Sequence, residues 1–195
     1  MEFNTLIAAG VILWYVPVII VTTIVHIFVN KWRILERTSY ILLYGIGLMV
    51  CVGTLALMPY ILQLRLSLPG YLLVLGFVLF VGCVIFLFWS YFTLSWHKLS
   101  WMSELESTSS PSSELVTVGP YALCRHPVYS AAIVIIISTF LISGEIFLVA
   151  PLLGIFPLLL FEERELRQRF GDSYIKYSKK TPLLFGIRLI TNQTK

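Results

Sequence analysis

At 195 residues, 58% of them hydrophobic and 12% charged, with a mean hydropathy of +0.88, the chain has too little polar surface to coat a water-soluble globule of its size. Its net charge of +4 is backed by no basic stripe or aromatic-interleaved patch, so nucleic acid is not an expected partner and the charge reads as membrane topology. Three cysteines, with Cys51 and Cys83 inside apolar runs, supply neither a disulfide framework nor a zinc spacing, and no metal site is expected.

Residues 5–29, 39–63 and 67–96 contain no Asp, Glu, Lys or Arg, and Arg65 falls between the second and third. Each run exceeds the roughly 20 apolar residues needed to cross a bilayer. The first follows Met1-Glu2 without a basic region and is too long for a signal-peptide core, so it reads as a retained helix. Lys31, Arg33, Glu36 and Arg37 punctuate the first gap, and residues 63–70, with Pro69 suited to a helix start, punctuate the second. Gly45-Ile46-Gly47 follows no strand and reads as helix packing; Trp89, Trp96 and Trp101 read as an interfacial aromatic belt.

A serine- and acid-rich stretch over 98–118 cannot bury much apolar surface and is expected to be a connector outside the hydrocarbon. It divides the chain into transmembrane helices (1–97), a cytoplasmic connector (98–118) and a catalytic region (119–195). Residues 128–161 are apolar again, interrupted only by Ser143-Gly144-Glu145, a tight turn between two helices of about 16 residues that reach only about 24 Å each. Such a hairpin penetrates the bilayer without comfortably spanning it, and Pro151 and Pro157 are expected to kink its second arm. An amphipathic charged helix follows over 162–180, then Pro182 and an apolar run over 183–190 that reads as a last interfacial helix.

The expected fold is therefore an all-α integral membrane protein of about five membrane-embedded helices, three full spans plus a short helical hairpin, with C-terminal interfacial helices. An N-terminus outside and a C-terminus in the cytoplasm put nearly every basic residue on one face, leaving Arg65 opposite. The membrane is the endoplasmic reticulum in a eukaryote and the cell membrane in a prokaryote. No internal repeat is apparent, which weakens a transporter reading.

Arg125 and His126 stand where the hairpin enters the membrane, and Glu162 and Glu163 where its second arm leaves. A hairpin returns near its starting level, so the two clusters should meet. Partly desolvated charges gathered there are costly unless paired or used. Each residue also has a plainer reading. Arg125 suits a snorkelling interfacial arginine, His126 a hydrogen-bonded structural histidine, and Glu162, Glu163 and Glu165 a solvated helix start. His26 and His97 read as packing or interfacial residues, Glu145 as a turn residue on the far face, and Tyr174 and Tyr177 more often as packing than as ligand contacts. Cys124 has a basic neighbour but no positioned partner.

The runs Arg125-His126-Pro127-Val128-Tyr129, Glu162-Glu163-Arg164-Glu165-Leu166 and Phe170-Gly171-Asp172-Ser173-Tyr174-Ile175-Lys176-Tyr177, ending at Pro182, resemble the isoprenylcysteine carboxyl methyltransferase family across roughly 114–182. Phospholipid methyltransferases and sterol reductases share this C-terminal motif. The resemblance implies S-adenosylmethionine as methyl donor, S-adenosylhomocysteine as product, and a lipophilic substrate drawn from the membrane lipids. It implies a cofactor pocket built from Leu115, Val116, Tyr121, His126, Pro127, Val128, Tyr129, Glu163 and Glu106, with Glu162 and Arg125 as catalytic residues. Two positions depart from it: Leu158 replaces an arginine of eukaryotic relatives, and Glu106 stands where they carry glutamine.

The residue types suit that chemistry independently of the family. The donor's carboxylate needs a cation or backbone donors, its adenine aromatic or apolar faces, and its sulfonium nearby oxygens or π-faces; Arg125, Tyr121, Tyr129 and Glu162 supply these. The first-ranked acceptor is the C-terminal carboxylate of a prenylated cysteine or a similar lipophilic carboxylate. Behind it stand a phospholipid or other lipid amine, a nicotinamide-dependent sterol-type reduction, and a non-catalytic membrane adaptor or small transporter.

Overall fold

The computed structural model describes residues 3–28, 31, 32, 34, 37–94 and 115–186. Helices α1 (Phe3–Ile27), α2 (Arg37–Ile61) and α3 (Gly70–Leu94) follow the three long apolar runs. Next come a single turn, α4 (Pro120–Leu123), then α5 (Pro127–Ser143), a short 3-10 turn (Ile146–Leu148) and α6 (Val149–Lys180). No strand is present among the described residues. Four helices are long and apolar enough to cross a membrane, the fourth being Ile146–Lys180, and Pro127–Ser143 is a shorter apolar one. This is an all-α integral membrane protein.

Hydrocarbon offers the backbone no hydrogen-bonding partner, so helices satisfy it internally and any hydroxyl must do likewise. Thr54 and Ser90 accordingly donate to the carbonyls of Val50 and Phe86, one turn back in their own helices, at 2.8 Å each. Large apolar side chains such as Leu48, Val78 and Phe92 are exposed on α2 and α3, where lipid replaces a protein neighbour. α1, α5 and α6 pack on one another, joining Ala8, Ile12, Ile136 and Leu159 in a common core, while α3 packs mainly on α5.

At 17 residues α5 is about 26 Å long, short of the roughly 30 Å hydrocarbon core. Its C-terminal end closes through Gly144, whose φ of 75° favours glycine and whose added Cβ would collide with the Leu66 carbonyl oxygen. Here the α2–α3 connection and the α5–α6 turn form an isolated antiparallel bridge between Arg65 and Glu145. Leu66 N–H donates to the Gly144 carbonyl, Ile146 N–H to that of Leu64, and Arg65 Nε to that of Ser143 at 2.6 Å. The expected turn is present, but Glu145 is buried within it.

The second arm of the hairpin differs from expectation. The helix does not end near Phe161; it runs on through the acidic residues and breaks at Gly171, where φ is 51° and ψ −129°. Neither Pro151 nor Pro157 interrupts it, and the non-helical backbone falls on the residue without a Cβ to strain. Beyond α6, residues 183–186 are not helical, and Leu183 and Leu184 are buried in the core instead of lying on a membrane surface. The rest of that expected interfacial helix, the bulk of the 98–118 connector, His97, Trp96, Trp101 and Glu106 lie outside the described residues.

Candidate active site

Three local features bring distant residues together at the N-terminal end of α5. Pro127 takes the first helical position, where its missing N–H is no loss, and leaves Arg125 and His126 just ahead of the helix. Their backbone is held from behind by the chain that follows α6: Arg125 N–H donates to the Pro182 carbonyl at 2.8 Å and His126 N–H to that of Leu183 at 3.1 Å. The third feature is the break at Gly171. Residues eleven apart in a straight helix are separated by about 16 Å along its axis. Tyr174 nevertheless donates its hydroxyl to Glu163 Oε1 at 2.5 Å, because the chain turns back. Tyr177 donates to the Tyr121 carbonyl, tying α4 to the same returning segment.

Glu163 is the hub of the cluster. Its carboxylate accepts from Arg125 Nη1 at 2.5 Å, stands 2.8 Å from His126 Nε2 and lies within 3.5 Å of Arg167 Nη2, with Tyr174 completing the set. Arg125, His126, Glu163 and Tyr174 are all buried. A buried carboxylate with this many donors is satisfied, as burial demands. Glu162, one residue earlier, does something else. It stands 3.6 Å from His126 Nδ1, accepts from the Tyr129 hydroxyl, and faces a cavity of about 230 Å³.

Burial alone would lower the pKa of His126, but the Glu162 and Glu163 carboxylates on its two ring nitrogens overcome this and hold it up at about 9. The imidazole is therefore a cation at neutral pH. Burial, reinforced by Glu162, pushes Tyr121 above the usual phenol range, so it remains a neutral hydroxyl. Burial also raises the Cys124 thiol, which contacts Ser130 Oγ at 3.5 Å; that is the behaviour of a packing cysteine, not a nucleophile.

Of the residues anticipated from sequence, Tyr121, Arg125, His126, Pro127, Val128, Tyr129 and Glu162 line the cavity, and so does Leu158. Glu163 lies behind it as the anchor. Leu115 and Val116 are half-buried in the segment leading to α4 and are not part of the lining; Glu106 lies outside the described residues. Sequence reading missed the contribution of α1 and α3. Trp14, Tyr15, Val18 and Thr22 on α1 and Leu87 and Tyr91 on α3 form the opposite wall. The individual contacts of His26, whose Nδ1 is 3.5 Å from Glu165 Oε2, and of Tyr174 with Glu163 were not anticipated either. A signal existed for each: the four-residue spacing of Trp14, Val18, Thr22 and His26 marks one ridge of α1, and Gly171 marks a reversal before Tyr174.

The arrangement offers an anionic carboxylate at a cavity wall, a cationic imidazole behind it, aromatic faces and an apolar flank toward lipid. Arg125 Nε adds a buried N–H with no hydrogen-bond partner among the described residues.

A family model for phospholipid methyltransferases matches residues 71–173, from the start of α3 to just past the Gly171 break. The nickel-cobalt-cadmium resistance protein NccN of Alcaligenes xylosoxydans xylosoxydans is 36% identical over 78 residues. That similarity takes in 38% of this chain and 37% of the relative, so well under half of either protein is compared. No solved structure matches.

Proposed function

The chain belongs to the phospholipid methyltransferase family and is a membrane methyltransferase; from that premise we propose that it methylates the C-terminal carboxylate of a prenylated cysteine, or a similar lipophilic carboxylate, using S-adenosylmethionine. The observation that carries the reading is Glu162, a carboxylate on the wall of a cavity that is otherwise aromatic and apolar, backed by the His126 cation. The donor's reactive feature is a methyl group on a positively charged sulfur.

The residues present fit that donor. Arg125 Nε has an unused buried N–H suited to a carboxylate, and a buried donor without a partner is costly until one arrives. Tyr121 and Tyr129 present aromatic faces, and Glu162 places negative charge where a sulfonium is favoured. An acceptor carboxylate is already an anion and needs no general base. Glu163 and His126, tied to each other, act by positioning, fixing Glu162 and Arg125 so that alignment and exclusion of water lower the barrier. Leu158 and the α1 wall supply apolar surface for the acceptor's hydrocarbon. With the N-terminus outside, the chamber faces the cytoplasm, which supplies the donor while the bilayer supplies the acceptor.

A second reading, methylation of a lipid amine, has its own support. Leu158 offers no cation to an incoming carboxylate, and Glu162 would attract an ammonium group and take its proton. Methyl-tritiated donor, incubated with the solubilised chain and either a prenylcysteine analogue or phosphatidylethanolamine, separates the two. Base-labile label on the prenylcysteine analogue is the expected result. Base-stable label on the amine lipid would replace the first reading with the second, and no label with no donor binding would reject both.

A further inference from the structure

The family match begins at residue 71 and leaves α1 outside it, yet α1 forms a wall of the cavity. Trp14, Val18 and Thr22 recur at four-residue spacing along that wall, and His26 is the next position on the same ridge. A buried ionisable side chain in a membrane-embedded helix is expensive to keep unless it is paired or used. The His26 side chain is 3% exposed, its ring stacks on Phe161 with centroids 6.4 Å apart, and its Nδ1 reaches to 3.5 Å from Glu165 Oε2.

Glu165 and Glu162 lie three residues apart on α6 and so share a face. His26 thus packs against the turn of α6 that carries Glu162, which already meets His126. The turn that carries Glu162 is flanked by two imidazoles from two parts of the chain: His126 stands 3.6 Å from the Glu162 carboxylate, and His26 is packed on Phe161, immediately before it.

We propose that His26 is a positioning residue for methyl transfer, fixing the acidic turn of α6 against α1 so that the Glu162 carboxylate stays directed into the cavity. The inference rests on the methyl-donor reading of that cavity. It gives α1 a definite part in the site: the helix supplies apolar wall and, one turn further on, the brace for the charged group that the wall encloses.

The test compares a charged ligand with a neutral one. S-adenosylmethionine carries the sulfonium that Glu162 would face; S-adenosylhomocysteine has the same carboxylate and adenine without that charge. Both are titrated calorimetrically into the full-length solubilised chain and into His26→Ala, His26→Asn and Glu165→Gln. In His26→Ala the Kd for the sulfonium form should rise roughly fivefold relative to the neutral form, the size expected of one partly screened charge contact moved out of register. His26→Asn, whose amide nitrogen replaces Nδ1, should restore the wild-type ratio, and Glu165→Gln should shift it as His26→Ala does. Should His26→Ala fail to fold, the other two variants carry the comparison, and an unshifted ratio in Glu165→Gln overturns the inference. A ratio unchanged in His26→Ala, or both affinities falling together, overturns it as well. Wild type binding neither ligand would instead remove the donor reading on which it stands.

Discussion

The two ends of α5 solve one problem in opposite ways. A helix of about 26 Å cannot carry the chain across a hydrocarbon layer of roughly 30 Å, so polar groups must be accommodated at each end. At the C-terminal end, Arg65 and Glu145 are brought together by main-chain hydrogen bonds between two connections, and Gly144 packs directly on the Leu66 carbonyl. At the N-terminal end the contacts run through side chains of Arg125, His126, Glu163 and Tyr174, and they enclose a cavity with Glu162 at its wall. Charge in a membrane protein is therefore not in itself a sign of catalysis. What distinguishes the chamber is a charged group turned toward space that a ligand can fill.

Variants at each end should separate these roles. The largest effect is expected from Glu163→Ala, which strands Arg125 as a buried cation, leaves His126 with Glu162 alone and should cost about 3–5 kcal/mol in reversible unfolding of the solubilised chain. Gly144→Ala should cost about 3 kcal/mol, at the upper end of backbone-strain penalties, because both its φ and the Leu66 carbonyl exclude a Cβ. It should leave donor affinity within about twofold, since the cavity is at the other end. Comparable loss of donor binding in the two variants would erase the distinction. Tyr174→Phe removes one hydrogen bond to a carboxylate and should cost about 2 kcal/mol, read from the same unfolding transition.

A last effect is one of pH. His126 has a folded pKa of about 9 against an ordinary 6.5, so the fold binds its proton more tightly than the unfolded chain does. Its stabilising contribution should be complete below about pH 6.5 and be lost as pH rises through about 9. Thermal melts between those limits should show the decline in wild type and in Gly144→Ala. A flat profile in both would mean that His126 is not held as a cation between Glu162 and Glu163.

Much of this was legible in the sequence because hydropathy alone fixes where a chain enters and leaves a bilayer. The three long helices, the turn at Ser143-Gly144-Glu145 and the meeting of Arg125-His126 with Glu162-Glu163 all follow from that constraint. The end of the second arm did not. Polarity changes at Glu162, but a helix continues until its backbone is interrupted, and the interruption is at Gly171. The division of labour between the two glutamates was equally hidden. Adjacent residues on a helix point about 100° apart, so one faces the cavity and the other the cluster, and only packing decides which. The contacts of His26 and Tyr174 were hidden because each spans a separation in sequence that local pattern does not bridge: 139 positions from His26 to Glu165, and a chain reversal between Glu163 and Tyr174.

Equilibrium binding of methyl-tritiated S-adenosylmethionine to the purified full-length chain, beside Glu162→Gln and Gly144→Ala, addresses the chamber most directly. Wild type should bind saturably, Glu162→Gln should weaken binding about tenfold through loss of the facing charge, and Gly144→Ala should bind as wild type does. No saturable binding to the wild type, or binding indifferent to Glu162→Gln, would contradict a methyl-donor site at the N-terminal end of α5.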